Sequence, residues 1–315
     1  MKVLFITSNR LGDAVLSTGL IDYIVTTYPE ARLTIACGSL PASLFEAVPG
    51  LERIITIDKK RFNGHWIKVW RQIIGTRWDM VVDLRDSAVS RLIRAREKHI
   101  YSNHINKLQH KVEQCASVMG LEAAPAPKLW FTPEQTAFAD RVIPRNKKII
   151  AVGPTANWIG KTWPAERFIE TIDALSAKGQ PLEAAHVAVF AAPGEEDAAI
   201  EVLEFFPEDY RIDMIAKALP GHAAAVISRC DLYIGNDSGL MHCAAAAGIP
   251  TLGLFGPSYP HLYHPWGDHC RYVRTAETFD QLRDFEGYDP KTLTHYLMES
   301  LRVDDVIKEA QKLIR

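Results

Sequence analysis

Residues 231–257, DLYIGNDSGLMHCAAAAGIPTLGLFGP, predict in order a strand, a turn, a helix and a second strand. The two strands are expected over Leu232–Ile234 and Thr251–Phe255, and the helix over Ser238–Ala247. Gly248 should end the helix, because glycine readily takes the left-handed conformation found just after a helix, and Pro250 cannot continue it. A buried strand that leads through a helix to another buried strand is the repeating unit of a parallel α/β sheet. The stretch therefore predicts an α/β fold.

The same alternation of short apolar runs and amphipathic segments extends over the chain in two series. In the first series the predicted strands are Val3–Thr7, Leu33–Ala36, Ile54–Ile57 and Met80–Leu84, and the helices are Ala14–Thr27, Ala42–Val48, Trp66–Ile74, one from Ser87, and Val112–Met119. The second series begins with strand Ile149–Val152, helix Pro164–Ala177, strand Val187–Phe190 and helix Glu195–Phe205. This pattern predicts two doubly wound, Rossmann-like halves.

The domain boundary is expected where the chain carries the features of a linker. Residues 121–127 are rich in proline and small residues, a helix is expected from Pro133 to about Val142, and the run Pro-Arg-Asn-Lys-Lys follows at residues 144–148. Few buried contacts are expected to cross this stretch. We therefore expect an N-terminal domain over residues 1–146 and a second domain over residues 147–290. Residues 291–315 are expected to form terminal helices that can pack back on the N-terminal domain.

The composition and charge of the chain limit the classes of function that the protein can have. The chain has 315 residues, 47% of them hydrophobic, and a formal net charge of −2, so any anion or membrane-surface binding must come from local basic patches. Its five cysteines are scattered without a C-x-x-C pair, which indicates reduced thiols in a cytosolic protein. The first apolar run, Val3–Ile6, is too short for a secretory signal, and no stretch approaches the ~18 apolar residues of a membrane span. A soluble protein is expected.

The start of the helix predicted from Ser238 has the features of an anion site. Gly239 permits close approach of the backbone, and the amides of Ser238, Gly239 and Leu240 point out of the positive end of the helix dipole. An ordinary helix capped by the side chain of Asp237 or Ser238 is the alternative. That alternative does not account for Gly239 in the first turn or for His242 so near this end.

Lys161 lies in a loop between a predicted strand and a predicted helix, at the same sheet edge as Ser238. A lysine there can neutralise a departing diphosphate as a point charge. A solvated loop lysine is the alternative, although the flanking Trp158 and Trp163 argue against a floppy loop.

Asp13 closes the first strand-to-helix loop. It is either the N-cap of a helix that begins at Ala14 or a carboxylate that accepts a proton from an attacking hydroxyl. Arg10, in the same loop, either holds an anionic acceptor or is simply exposed. Among the acidic residues 195–197, one can bind the hydroxyls of a ribose, or all three can complement a helix dipole.

Two further clusters of polar side chains are candidates for binding. His261, His264, Asp268 and His269 do not have the spacing of a helical H-x-x-x-H site, so no metal site is predicted. Basic residues concentrate in the N-terminal half, where Arg61, Lys68 and Arg85 suit a phosphorylated acceptor near an anionic bilayer. Aromatic residues suited to base stacking do not alternate with them, so nucleic acid is not favoured as a partner.

Three motifs together resemble the lipopolysaccharide heptosyltransferases of glycosyltransferase family 9 over essentially the whole chain. They are NRLGDA at residues 9–14, GKTWPAERF at 160–168, and GNDSGLMH at 235–242 followed by A-A-x-G-I-P-T-L-G-L-F-G-P. The resemblance implies a GT-B architecture, with two Rossmann-like domains facing across a cleft, and an inverting transferase that needs no cofactor, Mg²⁺ being at most auxiliary. It implies transfer of a heptose from an ADP-sugar to a lipopolysaccharide core or lipid A-type acceptor, in the cytoplasm at the inner-membrane face.

The resemblance also implies roles for individual residues. Asp13 would be the general base and Lys161 the diphosphate ligand. The acceptor would meet Arg10, Arg61, Lys68 and Arg85. The other donor-binding residues would be Thr155, Glu196, Asp237, Ser238, Gly239, Leu240 and His242.

Three other functions stay open on the sequence. The loop before Lys161, residues 155–160, departs from the family's pattern, so a family member that transfers another sugar to another surface glycan or to a protein is an alternative. A nicotinamide-dependent oxidoreductase would need G-x-G-x-x-G, whereas residues 11–16 carry one glycine. A binding module without turnover is disfavoured, because Asp13 and Lys161 are both present.

Overall fold

The computed structural model describes residues 1–58, 64–290 and 292–314. The chain divides into two compact units, Met1–Pro133 and Glu134–Arg315. The division precedes the boundary expected at residues 146 and 147, because helix α6 (Pro133–Val142) is held within the second unit. Its Phe138 ring meets His222 edge-on at 5.3 Å, and its Asp140 pairs with Arg229 at 3.1 Å.

The first unit is built on a five-stranded parallel sheet of order β3-β2-β1-β4-β5. Its strands are β1 (Lys2–Ile6), β2 (Arg32–Cys37), β3 (Leu51–Thr56), β4 (Trp78–Asp83) and β5 (Ala95–Ile100). Its helices are α1 (Leu11–Leu16), α2 (Thr18–Thr27), α3 (Gly64–Ile73), α4 (Ala88–Leu92) and α5 (Lys111–Val118).

Two predicted helices of this unit differ from the observed structure. The helix expected over Ala14–Thr27 is interrupted at Ser17, whose hydroxyl donates to the Ala14 carbonyl at 2.7 Å and lies 2.8 Å from the Thr7 hydroxyl. This side-chain bonding competes with the helical hydrogen-bond ladder and separates α1 from α2. The helix expected over Ala42–Val48 is only a short 3₁₀ turn, Ala42–Leu44.

The second unit has a six-stranded parallel sheet of order β11-β10-β9-β6-β7-β8. Its strands are β6 (Ile149–Gly153), β7 (His186–Ala191), β8 (Arg211–Ile215), β9 (Leu232–Asn236), β10 (Thr251–Phe255) and β11 (Cys270–Arg274). After α6, its helices are α7 (Ala165–Ser176), α8 (Glu196–Phe205), α9 (Pro220–Ile227), α10 (Gly239–Ala246), α11 (Pro260–Tyr263) and α12 (Val303–Leu313). If these six strands are numbered 1 to 6 in chain order, the order across the sheet is 6-5-4-1-2-3, which is the Rossmann order. The predicted pair of parallel α/β domains is therefore confirmed.

The core of the second unit lies between one face of its sheet and the helices α7, α8 and α12. Alternate residues of β6, β9 and β10 face this core, and Val306 and Ala310 of α12 are wholly buried in it. The C-terminal helix is therefore part of the core of the second unit, and packing of residues 291–315 on the first domain stays a prediction. Within the described ranges, no helix is both long and apolar enough to cross a bilayer.

The strand order fixes where ligands can be bound in each unit. The direction of winding reverses between β6 and β9 in the second sheet and between β1 and β4 in the first. In open α/β sheets the loops that follow the two strands at such a reversal form the binding crevice. In the second unit these loops carry Lys161 and Asp237. In the first unit the loop after β4 carries Arg85, and Asp13 lies in the first turn of α1, which follows the loop after β1.

Candidate functional site

A buried ion pair joins the two loops at the reversal point of the second sheet. Lys161, at the end of the 3₁₀ turn Ile159–Lys161, places its Nζ 2.6 Å from Oδ2 of Asp237, which directly follows β9. The two side chains are 22% and 8% exposed, so water screens this pair much less than a surface pair. Lys161 is therefore not a solvated loop lysine.

The loop that carries Lys161 is fixed at several points. The Trp163 amide donates to Oδ1 of Asn236 at 3.1 Å, and the Trp163 indole nitrogen donates to the Leu301 carbonyl at 3.1 Å. The Trp163 side chain is fully buried. A Cβ at Gly160 would lie 2.1 Å from the ring of Trp158, so a larger residue at this position would force that ring to move. The ammonium group is thus held in place by the backbone around it.

Helix α10 begins beside this pair without a side-chain cap. Ser238 is the N-cap residue, but its hydroxyl makes no capping hydrogen bond, and Asp237 is bonded to Lys161 instead. The alternative in which the side chain of Asp237 or Ser238 caps the helix is therefore wrong. The amides of Gly239 and Leu240 lie in the first turn, whose backbone donors have no partner within the helix. Gly248 has φ +83°, as predicted for the residue that ends this helix.

The remaining predicted residues of this site lie on the same unit. Thr155 is buried in the loop after β6, and His242 is buried on α10. Glu196 is the first residue of α8, so it follows β7, the neighbour of β6. The Gly194 amide donates to both carboxylate oxygens of Glu196, at 2.9 and 3.0 Å. This hydrogen bonding lowers the pKa of Glu196. An acidic side chain after the second strand of a Rossmann sheet is the usual ribose ligand.

Asp13 is not a helix cap. Helix α1 begins at Leu11 with Arg10 as its N-cap residue, so Asp13 lies inside the first turn. Its half-buried carboxylate accepts a long hydrogen bond from the Ser8 hydroxyl, at 3.4 Å. The alternative in which Asp13 caps a helix beginning at Ala14 is wrong, which leaves its carboxylate available for chemistry.

Arg85 is the cationic side chain next to Asp13. Its Nη1 donates to Oδ1 of Asn9 at 2.5 Å, and its guanidinium lies 5.4 Å from the centre of the Trp66 ring. Burial lowers the pKa of Arg85, and the charges of Asp83 and Asp13 oppose that shift. The first turn of α1 and the loop after β4 thus bring a carboxylate and a fixed guanidinium together.

The other predicted acceptor residues are exposed or lie outside the described residues. Arg10 and Lys68 are exposed, on the first loop and on α3 respectively, and Arg61 lies outside the described residues. Asn9, Trp66 and the wholly buried Asp83 also belong to this site, although the sequence pattern does not assign them to it. Asp83 accepts hydrogen bonds of 2.8 Å from the amides of Arg85 and Ser87 and so shapes the loop that carries Arg85. A buried acid at the end of a strand was the available signal for Asp83.

The histidine cluster near β11 has structural roles. The His264 ring stacks on Trp266 and on Tyr272, and Nε2 of His269 lies 2.9 Å from the Ala245 carbonyl. In the described part of the chain, no three His, Cys, Asp or Glu side chains are arranged to hold a metal ion. The expectation that the reaction needs no metal ion stays a prediction.

Comparison with known proteins gives one family match and several relatives of similar length. A family model described as "Glycosyltransferase family 9 (heptosyltransferase)" matches residues 71–289. The chain is 24% identical over 339 aligned residues to lipopolysaccharide heptosyltransferase 3 of Escherichia coli, with 96% of each chain covered.

Two solved structures share the fold over nearly their whole length. A family 9 glycosyl transferase from Veillonella parvula aligns with a TM-score of 0.80 at 22% identity, covering 99% of this chain and 97% of that one. The E. coli ADP-heptose lps heptosyltransferase II aligns with a TM-score of 0.73 at 20% identity, covering 100% of this chain and 98% of that one.

Proposed function

This chain belongs to glycosyltransferase family 9, and we propose that it transfers a heptose from ADP-heptose to the core of a lipopolysaccharide acceptor. The predicted family and the predicted glycosyltransferase activity are confirmed by the family match, whereas the donor sugar and the acceptor belong to the proposal. The observation that carries it is the Lys161–Asp237 pair beside the uncapped start of α10. This arrangement suits a diphosphate attached to a sugar.

The donor nucleotide is assigned to the carboxyl edge of the second sheet. The amides at the start of α10 and the positive end of its dipole favour the diphosphate. Lys161 adds a full positive charge, and Asp237 holds that charge in position through the 2.6 Å contact. Glu196 is assigned to the ribose, and Thr155 and His242 to the walls of the donor site.

The transfer step needs a base at the acceptor and charge stabilisation at the leaving group. The acceptor oxygen forms a bond to the anomeric carbon, and the bond from that carbon to the diphosphate oxygen breaks. Asp13 takes the proton of the acceptor hydroxyl, and the bond electrons leave with ADP. Attack from the face opposite the nucleotide inverts the anomeric centre. Lys161 and the α10 amides stabilise the growing negative charge, and no metal ion is needed for that role.

The acceptor is assigned to the basic residues of the first unit. Arg85 is held by Asn9 and Trp66, so it offers its remaining donors to a phosphate in a fixed orientation. Arg10 and Lys68, both exposed, extend this basic surface, and Arg61 stays part of the proposal. A phosphorylated lipopolysaccharide core at the cytoplasmic face of the inner membrane has the matching charge.

The test is product analysis by mass spectrometry. Wild-type protein is incubated with ADP-heptose and a lipopolysaccharide core acceptor that lacks the outer heptoses, and with ADP-glucose as the control donor. The proposal expects ADP release and an acceptor that is heavier by one heptose. Transfer from ADP-glucose alone would support the alternative of a family member with another donor sugar, and ADP release without a heavier acceptor would contradict transfer altogether.

A further inference from the structure

Tyr233 occupies an unusual position beneath the start of α10. Its neighbours in β9, Leu232 and Ile234, face the core shared with α7 and α12, so Tyr233 faces the opposite side of the sheet. Helix α10 covers that side, because a Cβ at Gly253 of β10 would meet the Met241 sulfur at 2.5 Å. Tyr233 is fully buried there.

The hydroxyl of Tyr233 lies at the carboxyl edge of the sheet, between two glycines. A Cβ added at Gly153 would lie 2.1 Å from this oxygen, and one added at Gly235 would lie 2.6 Å from it. These glycines are paired across β6 and β9, the two strands at the reversal point. The ring of Tyr233 therefore extends along the strands towards the loops of Lys161 and Asp237, and the two glycines make room for its oxygen.

This hydroxyl has no hydrogen-bond partner among the described residues. Leaving a buried hydroxyl unpaired is costly, and a phenylalanine would fill the same space without that cost. Burial raises the pKa of Tyr233, and the nearby Ser238 side chain acts against that shift. The phenol therefore keeps its proton at neutral pH, and Oγ of Ser238 is the neighbouring atom to which it can donate a hydrogen bond.

Other unpaired polar atoms surround the same sheet edge. Nδ2 of Asn236, the last residue of β9, and the buried hydroxyl of Ser258, which follows β10, also have no partner among the described residues. Buried polar groups in folded proteins are nearly always bonded, so a cluster of unpaired ones indicates that a polar ligand completes their bonding.

We propose that Tyr233 is a positioning residue of the donor site, whose O–H donates to Oγ of Ser238. A serine hydroxyl has one proton and two acceptor positions. When Tyr233 occupies one acceptor position, the proton of Ser238 is directed outward, where it is donated to an oxygen of the bound diphosphate. This inference rests on the proposed function, because it assigns Ser238 to the diphosphate of the donor.

The experiment measures ADP affinity by calorimetry for wild type, Tyr233→Phe, Ser238→Ala and the double variant. Each single variant is expected to bind ADP roughly fivefold to tenfold more weakly, since one net hydrogen bond is lost. The double variant is expected to lose no more than the single variants, because the two hydroxyls act as one unit. In the absence of ADP, Tyr233→Phe should melt no lower than wild type, since the buried oxygen that it removes has no partner among the described residues there.

Thr171→Val is the matched control. The Thr171 hydroxyl on α7 is also buried without a partner among the described residues, and it is not at the sheet edge that carries Lys161. Its removal should leave ADP affinity unchanged. The role proposed for Tyr233 would be overturned if Tyr233→Phe bound ADP as tightly as wild type, or if the losses of the two single variants multiplied in the double variant. Neither result would affect the proposed function. Failure of the wild-type protein to bind ADP would overturn the proposed function as well.

Discussion

Nζ of Lys161 lies 2.6 Å from Oδ2 of Asp237, although the two residues belong to loops that follow different strands. The contact ties the loop after β6 to the loop after β9 at the point where the sheet reverses its winding. It also keeps a positive charge beside the uncapped start of α10. Both the position of this charge and the order of the two loops therefore depend on the pair.

Lys161→Met is expected to weaken ADP binding strongly and to destabilise the second unit. The substitution leaves the carboxylate of Asp237 largely buried and unpaired, so the loss of unfolding free energy should approach the ~3–5 kcal/mol typical of such cases. Chemical denaturation and ADP calorimetry measure the two effects.

The control is Lys217→Met. Lys217 pairs with Asp213 at the same 2.6 Å, but these side chains are 56% and 37% exposed. An exposed pair contributes at most about 1 kcal/mol, so this variant should lose little stability and no ADP affinity. Equal losses in the two variants would show that burial of the Lys161 pair has no special role.

Arg85→Lys is expected to raise the KM for the acceptor while leaving the KM for ADP-heptose unchanged. Lysine has neither the planar fork that reaches Asn9 nor the stacking surface that lies over Trp66. Steady-state kinetics with each substrate varied in turn give both constants. Arg94→Lys, at an exposed position in the same unit, is the control and should change neither. A rise in the donor KM instead would reassign Arg85 to the nucleotide.

EDTA is expected to leave the transfer rate unchanged, because Lys161 and the α10 amides stabilise the leaving diphosphate. The rate should be measured before and after extensive chelation, and again after Mg²⁺ is added back. Complete loss of activity that a divalent ion restores would contradict the expectation that no cofactor is required.

The cysteine thiols are expected to resist alkylation in the native protein at pH 8. Burial raises the pKa of Cys37, Cys115, Cys243 and Cys270 to about 12 from 9.0. The thiolate fraction at pH 8 is therefore about a thousandfold lower than for an ordinary thiol. Mass spectrometry after iodoacetamide treatment, with and without urea, measures the difference; rapid labelling of these thiols without urea would contradict it.

The same shifts set the sign of the stability change at high pH. A folded-state pKa above the unfolded value means that the native protein holds more protons between pH 9 and about 12. The free energy of unfolding should therefore fall as the pH rises through that window. A melting temperature that rises over this range would contradict the shifts.

Much of the fold could be predicted from the sequence, because buried parallel strands are continuous apolar runs. The sequence pattern does not predict β5, β8 and β11, and each of these is an outermost strand of its sheet. Their sequences, AREKHI, RIDMI and CRYVR, carry charged side chains of the kind that protect edge strands. Those charges hide the apolar pattern on which the prediction depended.

The candidate site was predicted in part. Lys161 and Ser238 could be assigned to one sheet edge, because the carboxyl ends of parallel strands meet there. Their local bonding could not be predicted, since the shape of a loop depends on tertiary contacts such as the one between Trp163 and Leu301. Asp13 was open to the wrong structural interpretation because α1 begins at Leu11, before the position expected from the sequence.

Asp13→Ala removes the carboxylate that we propose as the base of the glycosyl transfer. Single-turnover transfer from ADP-heptose to the acceptor and ADP affinity should be measured on the same preparation. The account predicts nearly wild-type ADP affinity and a transfer rate lower by about 10²–10⁴-fold, the usual contribution of a general base. Full transfer by Asp13→Ala would contradict it.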